Sequence, residues 1–383
     1  MLRYCTKCLY PHTKPDLGFD EHGVCSACNA FNQRKEVDWE LREKEFLQVV
    51  EAFRSRDGAS YDCIVPVSGG KDSTYQVIKL LQYGLNPLCV TGTTDSLSAL
   101  GRRNIDNIKS LGVDYIEYSF NPIVRRKLNR ICLEQTGDIS WPEHVAIFTT
   151  PVRMAVKMGI KLIVWGENPQ HEYGGPAASQ NSKHLDRRWL EEYGGLLGLR
   201  VSDLIGQMNI QNRDLIPYMY PSDQELEKSG VTGIFLGYYF PWDGLSNALI
   251  AQAYGFEVSP TIVEGSLACY ENLDNHQTGI HDYFKFLKFG FGRATDIASN
   301  HVRRGRILRK DALEMVKRHD GKYPHTCLGK PLDEILCEID MSRDEFERVC
   351  DRFTNKRIFK RDDEGNILRS KDSSPLKINW DNM

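Results

Sequence analysis

Four cysteines near the start of the 383-residue chain are spaced Cys5-x2-Cys8-x16-Cys25-x2-Cys28. Each CxxC turn offers two soft sulfurs from one tight knuckle, and four thiolates satisfy a tetrahedral zinc ion. Four protein ligands leave no open coordination position, so the zinc expected here is structural. His12 and His22 lie in the same segment and are not needed as ligands. The second group with chemical potential is Ser68-Gly69-Gly70-Lys71-Asp72-Ser73-Thr74, which follows the apolar run YDCIVPV and opens a helical pattern. Its glycines let the backbone turn tightly, and the helix start then offers free N–H groups to phosphate oxygens. The hydroxyls of Ser68, Ser73 and Thr74 add donors, Lys71 can pair with charge, and Asp72 can hold Mg2+. A Walker A loop requires Ser or Thr after its lysine; here Asp72 follows Lys71.

The hydrophobic pattern outlines the scaffold around both groups. From Asp38 to about Arg56 apolar residues recur at helical spacing, giving a linking helix with one buried face. YDCIVPV, PLCVTGTT and VDYIEYSF read as strands, and helical patterns separate them over 71–83 and 97–111. Further helices are expected around 122–136 and 143–159, then a strand in IKLIVWGEN. VTGIFLGYYFPWDG reads as one more strand ending in a polar turn, with a helix after Gly244. This alternation predicts βαβ units and a doubly wound parallel α/β sheet. Residues 166–186, rich in Gly, Asn, Gln, Ser and Pro, read as a mobile loop, and the last twenty or so as a tail. The expected division is a zinc-ribbon module over 1–36, the linking helix over 37–58, a nucleotide domain over 59–260 and a mainly helical substrate-binding region over 261–383.

Composition narrows the classes. Apolar residues are 41% and charged residues 26%, so a folded chain is expected, in two to three domains. The net charge of −3 argues against a generally basic nucleic-acid binder. No apolar run suits a membrane span, and Met1-Leu2-Arg3-Tyr4-Cys5 has no leader-like apolar core, so a cytoplasmic location is expected.

SGGKDS resembles the PP-loop signature of the N-type ATP pyrophosphatases. The resemblance implies cleavage of ATP between its α- and β-phosphates. It extends further: RYCTKCLYPHTKPDLGFDEHGVCSAC, GYYFPWDG and CYENLDNHQTGIHDYFKFLKFGFGRATD are similar to the N-acetyl sugar amidotransferases of O-antigen and other lipopolysaccharide or surface-sugar synthesis, over roughly residues 3–320. That family is implied to turn an acetamido group of a nucleotide-activated sugar into an acetamidino group, through an O-adenylyl intermediate attacked by ammonia. The chain has neither an N-terminal cysteine nucleophile nor a GxCxG turn. The resemblance therefore implies a separate glutaminase, like that of imidazole glycerol phosphate synthase, with a cyclase-like subunit.

On this reading ATP rests on residues 68–74. Thr91, Gly92 and Thr93 at a strand end can contact adenine or ribose, or form an ordinary turn. Gly166 and Glu167 follow another strand; Glu167 holds Mg2+ or orients substrate, or lies in a solvated loop. Asp243 holds metal or the incoming amine, or is a turn aspartate before Gly244. Glu264, Glu271, Asn272, Asp274 and Asn275 suit sugar hydroxyls or ammonia handling, or are a polar loop. Lys285, Lys288 and Arg293 neutralise phosphate or a sugar carboxylate, or belong to a solvated helix face. Lys71, Asp72, Asp243, Glu264 and Lys288 are the candidate catalytic residues. Arg303, Arg304 and Arg306 read as a solvated charge run, and His276 and His281 as weak candidates for proton transfer. The rival reading is a PP-loop tRNA thiolation enzyme, which would want a basic face and a second cysteine pair. A non-catalytic zinc-ribbon scaffold would not need an intact SGGKDS.

Overall fold

The computed structural model describes residues 2–167 and 198–378. Strands β1 (Cys63–Pro66), β2 (Pro87–Gly92), β3 (Asp114–Tyr118), β4 (Leu162–Trp165) and β5 (Thr232–Phe235) form one parallel sheet in the order β3-β2-β1-β4-β5. Side chains alternate between its faces. Cys63 and Val65 enter one core with Val77, Leu80 and Phe46, and Ile64 enters another with Leu88, Val90 and Val152. With helices on both faces, the strands read as unbroken apolar runs rather than alternating ones. From β1 the strands step outward to β3, and β4 then returns on the other side of β1. A ligand crevice forms at the carboxyl ends of β1 and β4, where the winding reverses. Helix Lys71–Gln82 leaves the loop after β1, and Glu167 follows β4.

The C-terminal region has a core of its own. Helices Thr278–Phe289, Leu332–Cys337 and Arg343–Phe353 bury Ile280, Phe284, Leu287, Ile335, Phe346 and Cys350 together with Leu133 and Ile139. Its leading segment reaches back over the sheet. Asn275 bridges to Leu97, Ser98 N donates to Asp274 O at 2.8 Å, and His276 N to Ser96 O at 3.1 Å. The approach is close enough that a Cβ on Gly101 would lie 2.5 Å from Asp274 Cα.

The cysteine segment forms a compact module with short bridges Tyr4–Pro11 and Phe19–Cys25 and helix Ser26–Gln33. It docks chiefly on helix Arg293–Arg303 and on Arg309 just beyond that helix. Tyr10 Oη donates to Asp296 Oδ1 at 3.0 Å, Leu9 N to Ser299 Oγ at 3.3 Å, and Arg309 Nε to Cys8 O at 3.0 Å. Leu9 is wholly buried among Ala298, Ala312 and Val316, which stabilises the contact by about 1.5–3 kcal/mol. The linking helix is Trp39–Phe53, capped by Asp38, whose carboxylate accepts from Leu41 N.

Two expectations need correction. FLGYYF is not strand throughout: β5 ends at Phe235 and Leu236–Tyr239 is a helical turn, with Gly237 N bonded to Gly166 O. The expected C-terminal tail packs as far as Ile378. Bridges Phe359–Lys377 and Arg369–Pro375 fold it back, and Lys377 is buried beside Gly290 O. The polar stretch read as a mobile loop lies outside the described residues from 168 onward. No helix among the described residues is long and apolar enough to cross a membrane.

Candidate active site and cysteine knuckle

Gly69 makes the turn out of β1 at φ +87°, and a Cβ there would meet Ile105 Cγ1 at 2.8 Å and Ile105 N at 3.1 Å. Only glycine fits both the backbone angle and the space. Ser68 Oγ accepts from Gly70 N, while Ser73 and Thr74 hydroxyls both donate to Gly70 O at 3.0 Å. Helix Lys71–Gln82 has no side-chain cap at Gly70, so its first N–H groups face the crevice. The loop forms one wall of a cavity of about 240 Å³; Glu167, Tyr270, Glu271, Asn272, Asp274 and Arg293 line much of the rest. The parallel-sheet region and the C-terminal region thus build one site.

Lys71 is buried, with its ammonium 2.6 Å from Asp72 Oδ2 and 3.2 Å from Glu271 Oε1. Burial alone would lower its pKa; Asp72, Glu271 and Glu167 outweigh that and raise it, so the amine stays charged. Asn247 Nδ2 holds the other Asp72 oxygen at 2.8 Å, and Trp242 Nε1 donates to Glu167 Oε2 at 3.2 Å. Asp72 and Glu167 are hard oxygen donors beside the phosphate loop, a donor set suited to Mg2+.

A neighbouring hollow shares Lys71, Asp72, Glu167 and Glu271 and adds Asp243, His301, Arg304 and Arg306. Asp243 is gripped by Arg304 Nε at 3.1 Å and by Arg306. Burial pushes its carboxyl up, but the hydrogen bonds from Arg306 and Ser246 and the charge of Arg304 hold it well below the usual range. Arg304 and Arg306 of the arginine run read as solvated therefore clasp a site carboxylate, while Arg303 lies over the Tyr10 ring. Spacing such as Arg303-Arg304-x-Arg306 at a helix end gave the only signal for it.

The other predicted residues fall into two groups. Glu271, Asn272, Asp274 and Arg293 line the main cavity with the phosphate loop. Thr91, Gly92 and Thr93 stand at the end of β2 but are not on that wall; Thr93 N is taken by Tyr118 O. Glu264 faces a different cavity and accepts from Thr326 Oγ1 at 3.0 Å. Lys288 donates to Thr136 O and Gly137 O, the carboxyl end of helix Pro122–Thr136. Lys285 pairs with Asp296 under the cysteine module. The structure therefore puts both lysines away from the phosphate loop. Sequence reasoning did not single out Asn104, Phe256 or Tyr270, which also line the cavity.

Behind the wall, Asn275 Nδ2 donates to Glu143, and Asp138 joins His281 at 2.8 Å and His144 at 3.6 Å. Burial, then Asp95 and Asp274, push the Glu143 carboxyl up to about 8. From the ordinary 4.5 up to about 8 the folded chain thus holds a proton that the unfolded chain has lost, so this group's contribution to stability falls as pH rises. Glu143→Gln keeps an oxygen for Asn275. We expect it to raise Tm by a few °C at pH 8 and to leave Tm unchanged near pH 4, measured by thermal unfolding at both. Equal shifts at the two pH values would refute the assignment.

The sulfurs of Cys5, Cys8, Cys25 and Cys28 all lie within 4.8 Å of one another and are buried. Cys5–Cys28 and Cys8–Cys25 are 3.8 and 3.6 Å apart. Ligands at about 2.3 Å around a tetrahedral zinc stand about 3.8 Å from each other, so the four fit that ion. The amides of Lys7, Cys8 and Cys25 donate to Cys5 Sγ at 3.3–3.4 Å, stabilising a thiolate.

Residues 264–371 match the family model described as LPS biosynthesis protein WbpG-like, C-terminal domain. This agrees with the resemblance carried by CYENLDNHQTGIHDYFKFLKFGFGRATD and supports the WbpG-like family of LPS biosynthesis proteins. Among solved structures the chain is similar to NMN synthetase from Francisella tularensis, with 11% identity and a TM-score of 0.26, over 59% of this chain and 98% of that one. A likeness that loose decides neither fold nor activity. A search of curated proteins gives no match.

Proposed function

We propose that the protein is an ATP-dependent amidotransferase of bacterial lipopolysaccharide or O-antigen synthesis, acting on an acetamido group of a nucleotide-activated sugar. The observation that carries this reading is the shared cavity: an SGGKDS loop on one side, and Glu271, Asn272, Asp274 and Arg293 of the WbpG-like segment on the other.

An amide carbon is a poor electrophile and its oxygen a poor leaving group. Attack of that oxygen on the α-phosphorus of ATP expels pyrophosphate and leaves an O-adenylyl imidate. Ammonia then adds to the carbon, the C–O bond breaks, AMP leaves with the oxygen, and the amidine remains after proton loss. On this reading the 68–74 backbone and Lys71 hold the phosphates and steady the charge that develops on them. Asp72, with Glu167, would hold Mg2+, which supplies further charge neutralisation. Asp243, kept ionised by Arg304 and Arg306, offers an acceptor for the incoming ammonium. The four cysteines hold structural zinc. Ammonia comes from a separate glutaminase with a cyclase-like subunit, and the reaction belongs in the cytoplasm.

The test supplies Mg-ATP, an ammonium salt at raised pH and a panel of diacetamido nucleotide sugars, with bulk tRNA in parallel. AMP and pyrophosphate should form together with exchange of O for NH in one sugar, read by mass spectrometry. Turnover with tRNA alone would move the protein to RNA thiolation. Release of ADP and phosphate would overturn the proposed use of the loop.

A further inference from the structure

Next to the ATP cavity lies a larger one of about 380 Å³, built wholly from the C-terminal region. Its volume falls within the ordinary range of small-molecule sites. A reaction between ATP and a second nucleotide needs a place for that nucleotide beside the phosphate-loop cavity of about 240 Å³. Arg293 is on the wall of both cavities.

The larger cavity has a basic wall. Arg293, Arg318 and Lys322 face it beside the imidazoles of His319 and His325, against two carboxylates, Glu264 and Asp282. Both carboxylates are engaged. Asp282 takes Arg293 at 3.2 Å and Asn272 Nδ2 at 2.8 Å, and Glu264 takes Thr326 Oγ1 and Leu328 N. Arg318 is exposed and has no ion pair among the described residues. Lys322, also exposed, pairs with Asp372 at 2.9 Å, a surface contact that a phosphate can displace. Burial, Lys322 and Arg318 lower the His319 pKa, as expected where positive charge is left uncompensated. The exposed His325 ring lies 4.7 Å from the buried Tyr323 ring, and its outer side offers a flat face for a base.

We propose that this cavity binds the nucleotide half of the activated sugar. Arg318, Lys322 and His319 receive its phosphates, and the sugar passes Arg293 into the phosphate-loop cavity. This rests on the amidotransferase reading for the identity of the acceptor, but not for the presence of a nucleotide site. Arg293, held by Asp282, then stands where the two cavities meet. Asn272, on the same carboxylate, ties the ATP-side loop to the acceptor side.

Binding of UDP, CMP and inorganic pyrophosphate to the full chain, measured by calorimetry, tests it. One nucleotide should bind more tightly than pyrophosphate. Arg318→Ala and Lys322→Ala should each weaken it about tenfold, a loss of about 1.4 kcal/mol, while ATP affinity is unchanged. Both side chains are exposed, so the fold should survive either change. Nucleotide binding no tighter than that of pyrophosphate, or unchanged in both variants, overturns the site. If a nucleotide sugar is amidinated and its KM is the same in both variants, the site falls and the amidotransferase reading stands. If UDP or CMP binds as described but no nucleotide sugar reacts, the site stands and that reading falls.

Discussion

Gly69→Ala should cost at least about 100-fold in ATP-dependent turnover while the chain still folds. Two independent effects act at this position. The φ of +87° puts an alanine in strained territory, costing about 1–3 kcal/mol. The added methyl also meets Ile105 at 2.8 Å, including its backbone nitrogen at 3.1 Å, so the loop must shift. A shift of even a few tenths of an ångström misaims the amides meant for the phosphates. Losing one such preorganised donor typically costs about 100- to 1,000-fold in rate. Gly84→Ala is the matched control: its φ is +67°, but nothing lies within 4 Å of the new methyl. It should lose less stability than Gly69→Ala and keep its turnover. If Gly69→Ala retains full turnover, or Gly84→Ala loses as much, the phosphate-loop assignment is wrong. The measurement is AMP release at saturating ATP alongside a thermal melt.

Cys8→Ser should remove one equivalent of zinc and lower Tm by about 10 °C or more. Losing a structural metal removes folding energy directly, and the buried knuckle has no apolar core large enough to replace it. The effect should reach the active site. Helix Arg293–Arg303, on which the knuckle rests through Tyr10 and Leu9, carries Arg293 into the main cavity and Asn300 and His301 into the hollow beside it. Arg304, just beyond, holds Asp243. A zinc-selective chelator with Mg2+ kept in excess should therefore depress turnover as it strips zinc, although no zinc ligand touches the cavity. Metal content is read by elemental analysis and stability by thermal unfolding. A zinc-free wild type with unchanged Tm would overturn the structural role of the metal.

What was legible in the sequence was local. SGGKDS lies between a strand and a helix because loop, strand and helix start are contiguous, and the cysteine spacing is a complete motif within 28 residues. β1, β2 and β4 announced themselves as buried apolar runs. What was not legible depended on distant partners. Lys288 and Arg293 stand five positions apart, yet one holds a helix end and the other the cavity, because a glycine turn separates their two helices. Arg304 and Arg306 read as solvated because Asp243, about sixty positions earlier, gives no local sign of meeting them. FLGYYF has the composition of a strand, but the chain turns just after Phe235, with Gly237 N bonded to Gly166 O beyond the end of the neighbouring β4. The supposed tail is as polar as a free one, and only its register against residues 358–361 shows that it folds back.

The docking of the knuckle on Arg293–Arg309 also sets an order of events during biosynthesis. The hydrogen bonds of Tyr10, Leu9, Cys8 and Cys5 to this segment join residues 286 to 304 positions apart. At translation rates of about 5–20 residues per second, the knuckle waits about 15–60 s on the ribosome before its docking helix exists. In that interval Leu9 and Tyr10 lack the surface that buries them in the folded chain. Metal captured early would give the knuckle a shape before it has a partner. In zinc-starved cells the nascent chain would instead present an apolar, thiol-bearing segment to chaperones and proteases. The yield of protein, rather than its specific activity, would then be the first quantity to follow the zinc supply.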